Sequence, residues 1–550
     1  MKKKVKFDLW TLIALGLFGL YGIFLLYPMT NLLIQALVDK DTGQFTLDYF
    51  IKFFSTPYYF NTLLNSFKVT TAVTFSTIIV ATPLAYFFTR YKIKGKRLLT
   101  ILIILSSMSA PFIGAYSWIL LLGRSGVITL FFRDTLGITT PSIYGFGGIM
   151  LVLTIDLYPL IFLFVIGALK NVDNSLLEAS ENLGCSGISR FFKIIIPLIL
   201  PTLLAGGLLV FMRALADFGT PMLIGEGYRT FPVTIFNEFI SEIGGDDGFA
   251  AAISIVAIAI TTLVFLLQRY LSTRKKFSMS SLNKIRPEEP KGLNSVLIHT
   301  YAYLVVAISI MPHIYIFYTS FKNTNGLTFA PGYSLQSYYD AFDRAGNAIV
   351  NSVKIPAVSL VVIVFLAVLL AYITVRRSGF FSTVLDAISM VPFIIPGSVV
   401  GITLLIAFNS PPILLAGTMA IMVIGLVIRR LPYTIRSSAA TLQQIPMSIE
   451  EAALSLGSSK LNTFYKITVP MMAAGIVSGA ILSWITMITE LSTAILLYTT
   501  RTQTLTVAIY TQIIRGNYGV AAALSTMLAI LTIISLLIFN VATKGSELSM

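Results

Sequence analysis

The sequence predicts an all-α membrane protein of about twelve transmembrane helices in two homologous six-helix halves, and three observations predict it. The first is composition. Of 550 residues, 56% are hydrophobic and 11% charged, with mean hydropathy +0.84, far too apolar for a soluble fold. The second is a succession of apolar runs close to the ~20 residues that a bilayer demands. The third is an internal repeat at constant spacing. Glu178 and Glu451, Gly184 and Gly457, Ile194 and Ile467, and Pro197 and Pro470 each stand 273 residues apart by subtraction, which composition alone does not produce.

In order, the first half reads as helices at about 9–37, 61–89, 98–122, 146–170, 198–224 and 248–268. The second half follows at about 293–318, 349–375, 382–408, 413–440, 471–497 and 518–540. The chain starts Met1-Lys2-Lys3-Lys4, but the run 9–37 is long enough to remain as a membrane helix and lacks a small-residue cleavage site, so no cleavable signal peptide is expected. The repeat extends along the helices. Asn65-Ser66 and Ala85-Tyr86 recur as Asn351-Ser352 and Ala371-Tyr372, Pro111-Phe112-Ile113 as Pro392-Phe393-Ile394, and Asp217-Phe218-Gly219-Thr220 as Glu490-Leu491-Ser492-Thr493. The halves are thus 1–275, with a polar loop at 171–197, and 293–550, with its counterpart at 441–470. Between them 276–292 is polar and carries Pro287-Glu288-Glu289-Pro290, the composition of a linker.

Charge placement predicts orientation. Lys2, Lys3, Lys4 and Lys6, then Arg90, Lys92, Lys94, Lys96 and Arg97, then Arg269, Arg274, Lys275, Lys276, Lys284 and Arg286 fall in alternate loops. Asp39, Asp41 and Asp48, then Glu226, Glu238, Glu242, Asp246 and Asp247 fall between them. The basic loops, both termini and both polar repeat loops are therefore expected on the cytoplasmic side. An even number of helices per half keeps the copies parallel and predicts a pseudo-two-fold axis along the membrane normal. The net charge of +15 follows this topology rather than marking nucleic-acid binding. One cysteine, Cys185, excludes an internal disulfide and a cysteine metal site, and two histidines, His299 and His313, exclude an imidazole cluster. The sequence holds no P-loop motif and no plausible nucleophile–base pair, so an enzyme with its own ATPase site is not expected.

The repeat loops have a physical reading of their own. Ser175 with Glu178, and Ser448 with Glu451, have the spacing of a capping box, in which hydroxyl and carboxylate satisfy amides at a helix start. Gly184 and Gly457 supply the backbone freedom that ends that helix, and a second short piece with Lys193 or Lys466 leads to Pro197 or Pro470 at the next apolar run. The pattern Glu-Ala-Ala, three residues, Gly, nine residues, Ile-x-Leu-Pro resembles the cytoplasmic loop of permease subunits of binding-protein-dependent ABC importers. The second copy matches at Glu451, Ala452, Ala453, Gly457, Ile467 and Pro470, with Val469 in the Leu place; the first reads Glu178-Ala179-Ser180, with Ile196 before Pro197. The chain looks like two such permeases fused.

The resemblance implies a type I importer permease in a prokaryotic inner membrane, whose loops form coupling helices docked into two ABC ATPase subunits, expected as a homodimer. It also implies an extracytoplasmic solute-binding protein, with ATP and Mg used by the ATPases and no cofactor on this chain. Asp217-Phe218-Gly219-Thr220-Pro221 and Arg430-Leu431-Pro432-Tyr433, with the fused layout, look most like the ferric-iron type. Similar layouts serve 2-aminoethylphosphonate, phosphorylated sugars and, unfused, polyamines. An ion-coupled secondary transporter of two six-helix halves is the rival from another class; it does not account for Gly-broken helical loops at 171–197 and 441–470.

Ionisable residues in apolar runs are costly and need a water path or an internal partner. Asp156, Arg213, Asp217, Arg429, Arg430 and Glu490 are such residues, and Asp156 takes the repeat position of Arg429. Two readings stand side by side. They line a translocation path, with Arg429 and Arg430 holding anionic groups and Asp217 and Glu490 gating it. Alternatively they form internal salt bridges, or Asp217 and Glu490 cap helix breaks. Pro111, Pro392, Pro396 and Gly397 are expected to kink helices.

Overall fold

The computed structural model describes residues 9–40, 42–107, 110–185, 187–240, 246–274, 283, 285–377 and 379–542. Lys2, Lys3, Lys4, Lys6, Lys275, Lys276, Lys284, Asp41, Glu242 and much of 276–292 lie outside them. Among the described residues, nine helices are long and apolar enough to cross a membrane, or eleven when each of two sharply bent pairs is one span. The expected segment 413–440 holds the helix Met419–Gln444, which at 26 residues has the length but carries Arg429, Arg430 and Arg436.

The breaks fall where backbone chemistry asks for them. The expected helix 98–122 divides into Lys96–Ser106 and Pro111–Leu122, with Pro111 in the first turn, where its missing N–H costs nothing. The pair Phe380–Ile394 and Gly397–Phe408 meets at 109° around Pro396, and Lys460–Met471 meets Ala473–Ile488 at 67°. One small hairpin departs from the helical plan. Lys322–Asn325 pairs antiparallel with Thr328–Tyr333 across Gly326-Leu327, with Gly326 at φ +62°.

The described residues form two compact units, and neither is a sequence half. One unit takes the described residues of Lys52–Asn237 and Ile258–Thr319. Its bundle includes Pro57–Arg90, Phe146–Leu169 and Ile196–Leu215, together with Gly292–Thr319, the first helix of the second half. Tyr158 donates to Ser309 Oγ at 3.0 Å, Ser117 Oγ to the Pro312 carbonyl at 2.5 Å, and Tyr301 to the Val80 carbonyl at 2.9 Å. Such partners let polar side chains sit inside an apolar bundle.

The other unit takes the described residues of Met1–Ile51, Glu238–Ala257 and Ser320–Met550. Here Leu9–Leu37, the first helix of the first half, packs on Gln336–Arg376, Phe380–Ile394 and Gly397–Phe408. Trp10 is 2% exposed, its ring 4.3 Å from Tyr372 and 4.9 Å from Phe464. Ala473–Ile488 approaches Met419–Gln444 closely because Gly479 faces Thr434: a Cβ there would lie 2.6 Å from Thr434 Cα. Small residues at such a crossing are the usual means of tight packing in lipid.

Candidate functional site

The two polar loops repeat in three dimensions as they do in sequence. The first runs Asn174–Asn182, Gly187–Arg190, a π turn Phe191–Ile195 and on into Ile196–Leu215. The second runs Met447–Ser455, Lys460–Thr463, a π turn Phe464–Thr468 and Val469–Met471. Each π turn precedes the proline by one residue. A proline ring collides with the carbonyl four residues before it, and the wider turn relieves that contact, so helix runs into Pro197 and Pro470 without a gap.

Gly184 and Gly457 stand at φ +78° and +89°, as the helix ends require. The amides that follow close both ends alike: Gly184 N–H donates to the Glu181 carbonyl at 2.9 Å and Cys185 to Ser180 at 2.8 Å, while Gly457 donates to Leu454 and Ser458 to Ala453, both at 3.0 Å. The helix starts correct the expectation of capping boxes. In the first loop the cap is Asp173, whose carboxylate accepts from Ser175 N–H at 2.9 Å, and Glu178 accepts from Asn174 Nδ2 at 2.6 Å. In the second loop Pro446 occupies the cap and no side chain fills that role. Both helices begin before the serine, so Ser175 and Ser448 sit inside the first turn, too late to cap it.

Glu178, Ala179, Gly184, Pro197, Glu451, Ala452, Gly457 and Pro470 are exposed, whereas Ala453 turns inward and is buried. Sequence reasoning missed the residues that stand out most. Leu183 and Leu456, one residue before each glycine, are 87% and 89% exposed. Leu176, Ile188 and Phe192 in the first loop, and Met447, Leu454 and Tyr465 in the second, are exposed as well. Several large apolar side chains exposed on one short polar loop are a feature of protein-contact surfaces. The signal was present in the repeated Leu-Gly pair, but apolar residues outside a membrane run carry no label in one sequence.

The charges at membrane depth divide by half. In Met419–Gln444, Arg429 and Arg430 both bind the carboxylate of Glu490, whose side chain is 3% exposed. Glu490 Oε1 also accepts from Thr493 N–H at 3.1 Å, capping the break after Ala473–Ile488. Arg429 donates to Thr493 Oγ1 at 3.1 Å, and Thr493 Oγ1 to the Gly397 carbonyl at 3.0 Å. This knot therefore joins the 109° bend, an arginine pair and a helix break.

At the equivalent place in the first half, Asp217 Oδ1 caps Thr220 N–H at 3.0 Å at the start of Gly219–Ile224. Both Asp217 and Glu490 thus cap breaks, as one of the two readings had it. Asp156 is half-buried within electrostatic reach of Asp217 and Arg213, yet among the described residues it makes no ion pair within 4 Å, and Arg213 is exposed. Internal pairing thus accounts for Arg429, Arg430 and Glu490, and leaves Asp156 and Arg213 without it.

Comparison with known proteins bears on both features. Residues 77–277 and 363–545, well over half the chain, match the binding-protein-dependent transport system inner membrane component. The chain is similar to the ferric transport system permease protein FbpB of Actinobacillus pleuropneumoniae, with 28% identity over 97% of this chain and 78% of that protein. It is similar to the Fe(3+)-transport system permease protein FbpB 2 of Haemophilus influenzae, with 25% identity over 85% of this chain and 87% of that protein. It is also similar to the spermidine/putrescine transport system permease protein PotB of Haemophilus influenzae, with 28% identity over 45% of this chain but 88% of that protein. Two matched segments, each containing one of the paired loops, leave the ion-coupled carrier without support. The chain belongs to the family of inner-membrane components of binding-protein-dependent transport systems, with the family's domain present twice.

Proposed function

We propose that the chain is the permease through which ferric iron enters a prokaryotic cell, driven by ATP that partner subunits hydrolyse. The observation that carries this reading is the pair of loops at 171–197 and 441–470, alike in helix ends, glycine caps and π turns, each with a leucine exposed beside its glycine. Family membership brings ATPase subunits and a solute-binding protein as partners. Two like loops on one chain suit two identical ATPases, each gripping one loop, and ATP and Mg belong to them rather than to this chain. With both loops on the cytoplasmic side, the termini are cytoplasmic as well. ATPase closure draws the loops together and turns the halves from inward- to outward-facing, and the binding protein then releases its cargo into a weakly binding path.

Iron as cargo rests on the relatives that span most of the chain, and the charge pattern agrees with it. Ferric iron is a hard cation that prefers oxygen ligands. Asp156 and Asp217 offer carboxylates, whereas in the other half Glu490 is already neutralised by Arg429 and Arg430. The path is therefore proposed to run by Asp156, Arg213 and Asp217, whereas Arg429, Arg430 and Glu490 neutralise one another within their own bundle.

Reconstitution in lipid vesicles with the ATPase and binding protein tests the reading. ATP-dependent uptake of radiolabelled ferric iron is expected, and the double variant Asp156→Asn, Asp217→Asn is expected to cut it severely with the ATPase still bound. Uptake of a polyamine, an aminophosphonate or a sugar phosphate in place of iron would replace the substrate. Uptake driven by an ion gradient without ATPase would overturn the machinery as well.

A further inference from the structure

The docking loops share a backbone but are held by different means. In the second loop Glu450, 5% exposed, accepts from Arg376 Nε at 2.8 Å and from Tyr372 at 3.1 Å. Arg376 also donates to the Ile445 carbonyl at 2.8 Å. The loop is thereby tied to the end of the helix Gln336–Arg376. In the first loop the place of Glu450 is taken by Leu177, which is buried and uncharged. Tyr372 and Arg376 nonetheless have their counterparts in Tyr86 and Arg90, each 286 residues earlier by subtraction.

Arg90 finds its carboxylate in a different part of the chain. Its side chain is 6% exposed and its Nη2 lies 2.7 Å from Oε1 of Glu288, in the stretch that joins the two halves. Backbone bonds hold Glu288 itself in place: its N–H donates to the Arg90 carbonyl at 2.9 Å, and Lys92 N–H to its carbonyl at 2.8 Å. Five residues earlier, Asn283 reaches the start of the docking helix. Its carbonyl accepts from Asn174 N–H at 2.9 Å, and its Nδ2 donates to Ser175 Oγ at 3.2 Å. Asn174 N–H is one of the first-turn amides that no helical carbonyl can serve.

We infer that Asn283 and Glu288 are positioning residues of the first docking loop, Asn283 holding the start of its helix and Glu288 meeting the end of Pro57–Arg90 with the carboxylate that the second loop carries itself. The inference rests on the reading of 171–197 as an ATPase-docking loop. The two attachments differ in kind. Arg376 and Glu450 are 9% and 6% exposed, whereas Glu288 is 57% exposed opposite a buried Arg90. Water competes for the exposed carboxylate, so the Arg90–Glu288 attachment is the more easily released of the two.

The chain's single cysteine provides the probe, since Cys185 follows the glycine that ends the first docking helix. A nitroxide on Cys185 of the full chain in detergent is expected to become more mobile in Glu288→Gln and in Asn283→Ala. Glu288→Asp, which keeps the charge, should retain most of the wild-type immobility, and Glu289→Gln, which removes a pair exposed on both sides, should change nothing. In the assembled transporter, Glu288→Gln is expected to lower iron moved per ATP hydrolysed by about threefold with the ATPase still bound. A label as immobile in Glu288→Gln and Asn283→Ala as in wild type overturns the inference. Adding the ATPase to the labelled wild-type chain is a separate reading: immobilisation supports docking at this loop, and no change removes the docking reading while the attachment itself stands.

Discussion

Glu490 shows what a single charge inside an apolar bundle requires. With its side chain 3% exposed, its carboxylate is sustained by two guanidinium groups and the Thr493 amide. Removing that charge in Glu490→Gln leaves two half-buried arginines facing a neutral amide, so we expect a loss of about 3 kcal/mol of stability, read as a lower thermal midpoint in detergent. Arg429→Glu, which sets two carboxylates together, should fall further; midpoints equal to wild type in both variants would show that the knot carries no stability. Gly397 is bound to the same group for steric reasons. A Cβ there would meet Arg429 Nη1 at 2.5 Å and Ser492 Cβ at 2.7 Å, so Gly397→Ala should cost about 1–3 kcal/mol by overpacking, measurable in the same melting experiment. The sequence exposed these residues as ions in apolar runs. It did not pair them, because Glu490 meets Arg429 only through a helix break and a return of the chain, neither of which leaves a periodic trace.

At the scale of elements, the docking loops were the most legible part of the chain. Helix, left-handed glycine, helix and proline follow from local chemistry, and the constant spacing gave two independent readings of each landmark. The serine–glutamate spacing is also compatible with a helix that begins two residues earlier, and in the first loop Asp173 takes the cap by accepting from the Ser175 N–H. The π turns were invisible, since the shift from an i−4 to an i−5 carbonyl depends on how the proline ring is accommodated. The exposed leucines lead to a direct expectation: Leu183→Asp with Leu456→Asp should abolish co-purification of the ATPase while the membrane bundle keeps its melting profile. Gly457→Pro, which cannot adopt φ +89°, and Glu451→Lys should uncouple or disassemble the complex. Retention of both transport and ATPase binding in all these variants would mean that the subunits dock elsewhere.

For the whole molecule, hydropathy located the membrane segments and the repeat aligned the halves, but neither revealed which bundle each helix joins. Leu9–Leu37 is apolar on nearly every side, so its sequence fits any lipid-facing position; its place was fixed by Trp10 between Tyr372 and Phe464. Deleting residues 1–37 should therefore expose Gln336–Arg376 to hydrogen exchange and proteolysis more than Pro57–Arg90, although the deletion lies in the first half; equal protection of the two helices would count against the exchange of first helices. The same exchange sets a timetable for synthesis. The bundle opened by Pro57–Arg90 lacks a member until Gly292–Thr319 has been translated, and Leu9–Leu37 waits for Gln336–Arg376, on which it packs. At 5–20 residues per second the interval for those intervening residues is roughly 15–60 s, during which the insertion machinery must shelter a finished helix. Joining the halves in one polypeptide turns what would be a search between separate chains into a wait along a single one.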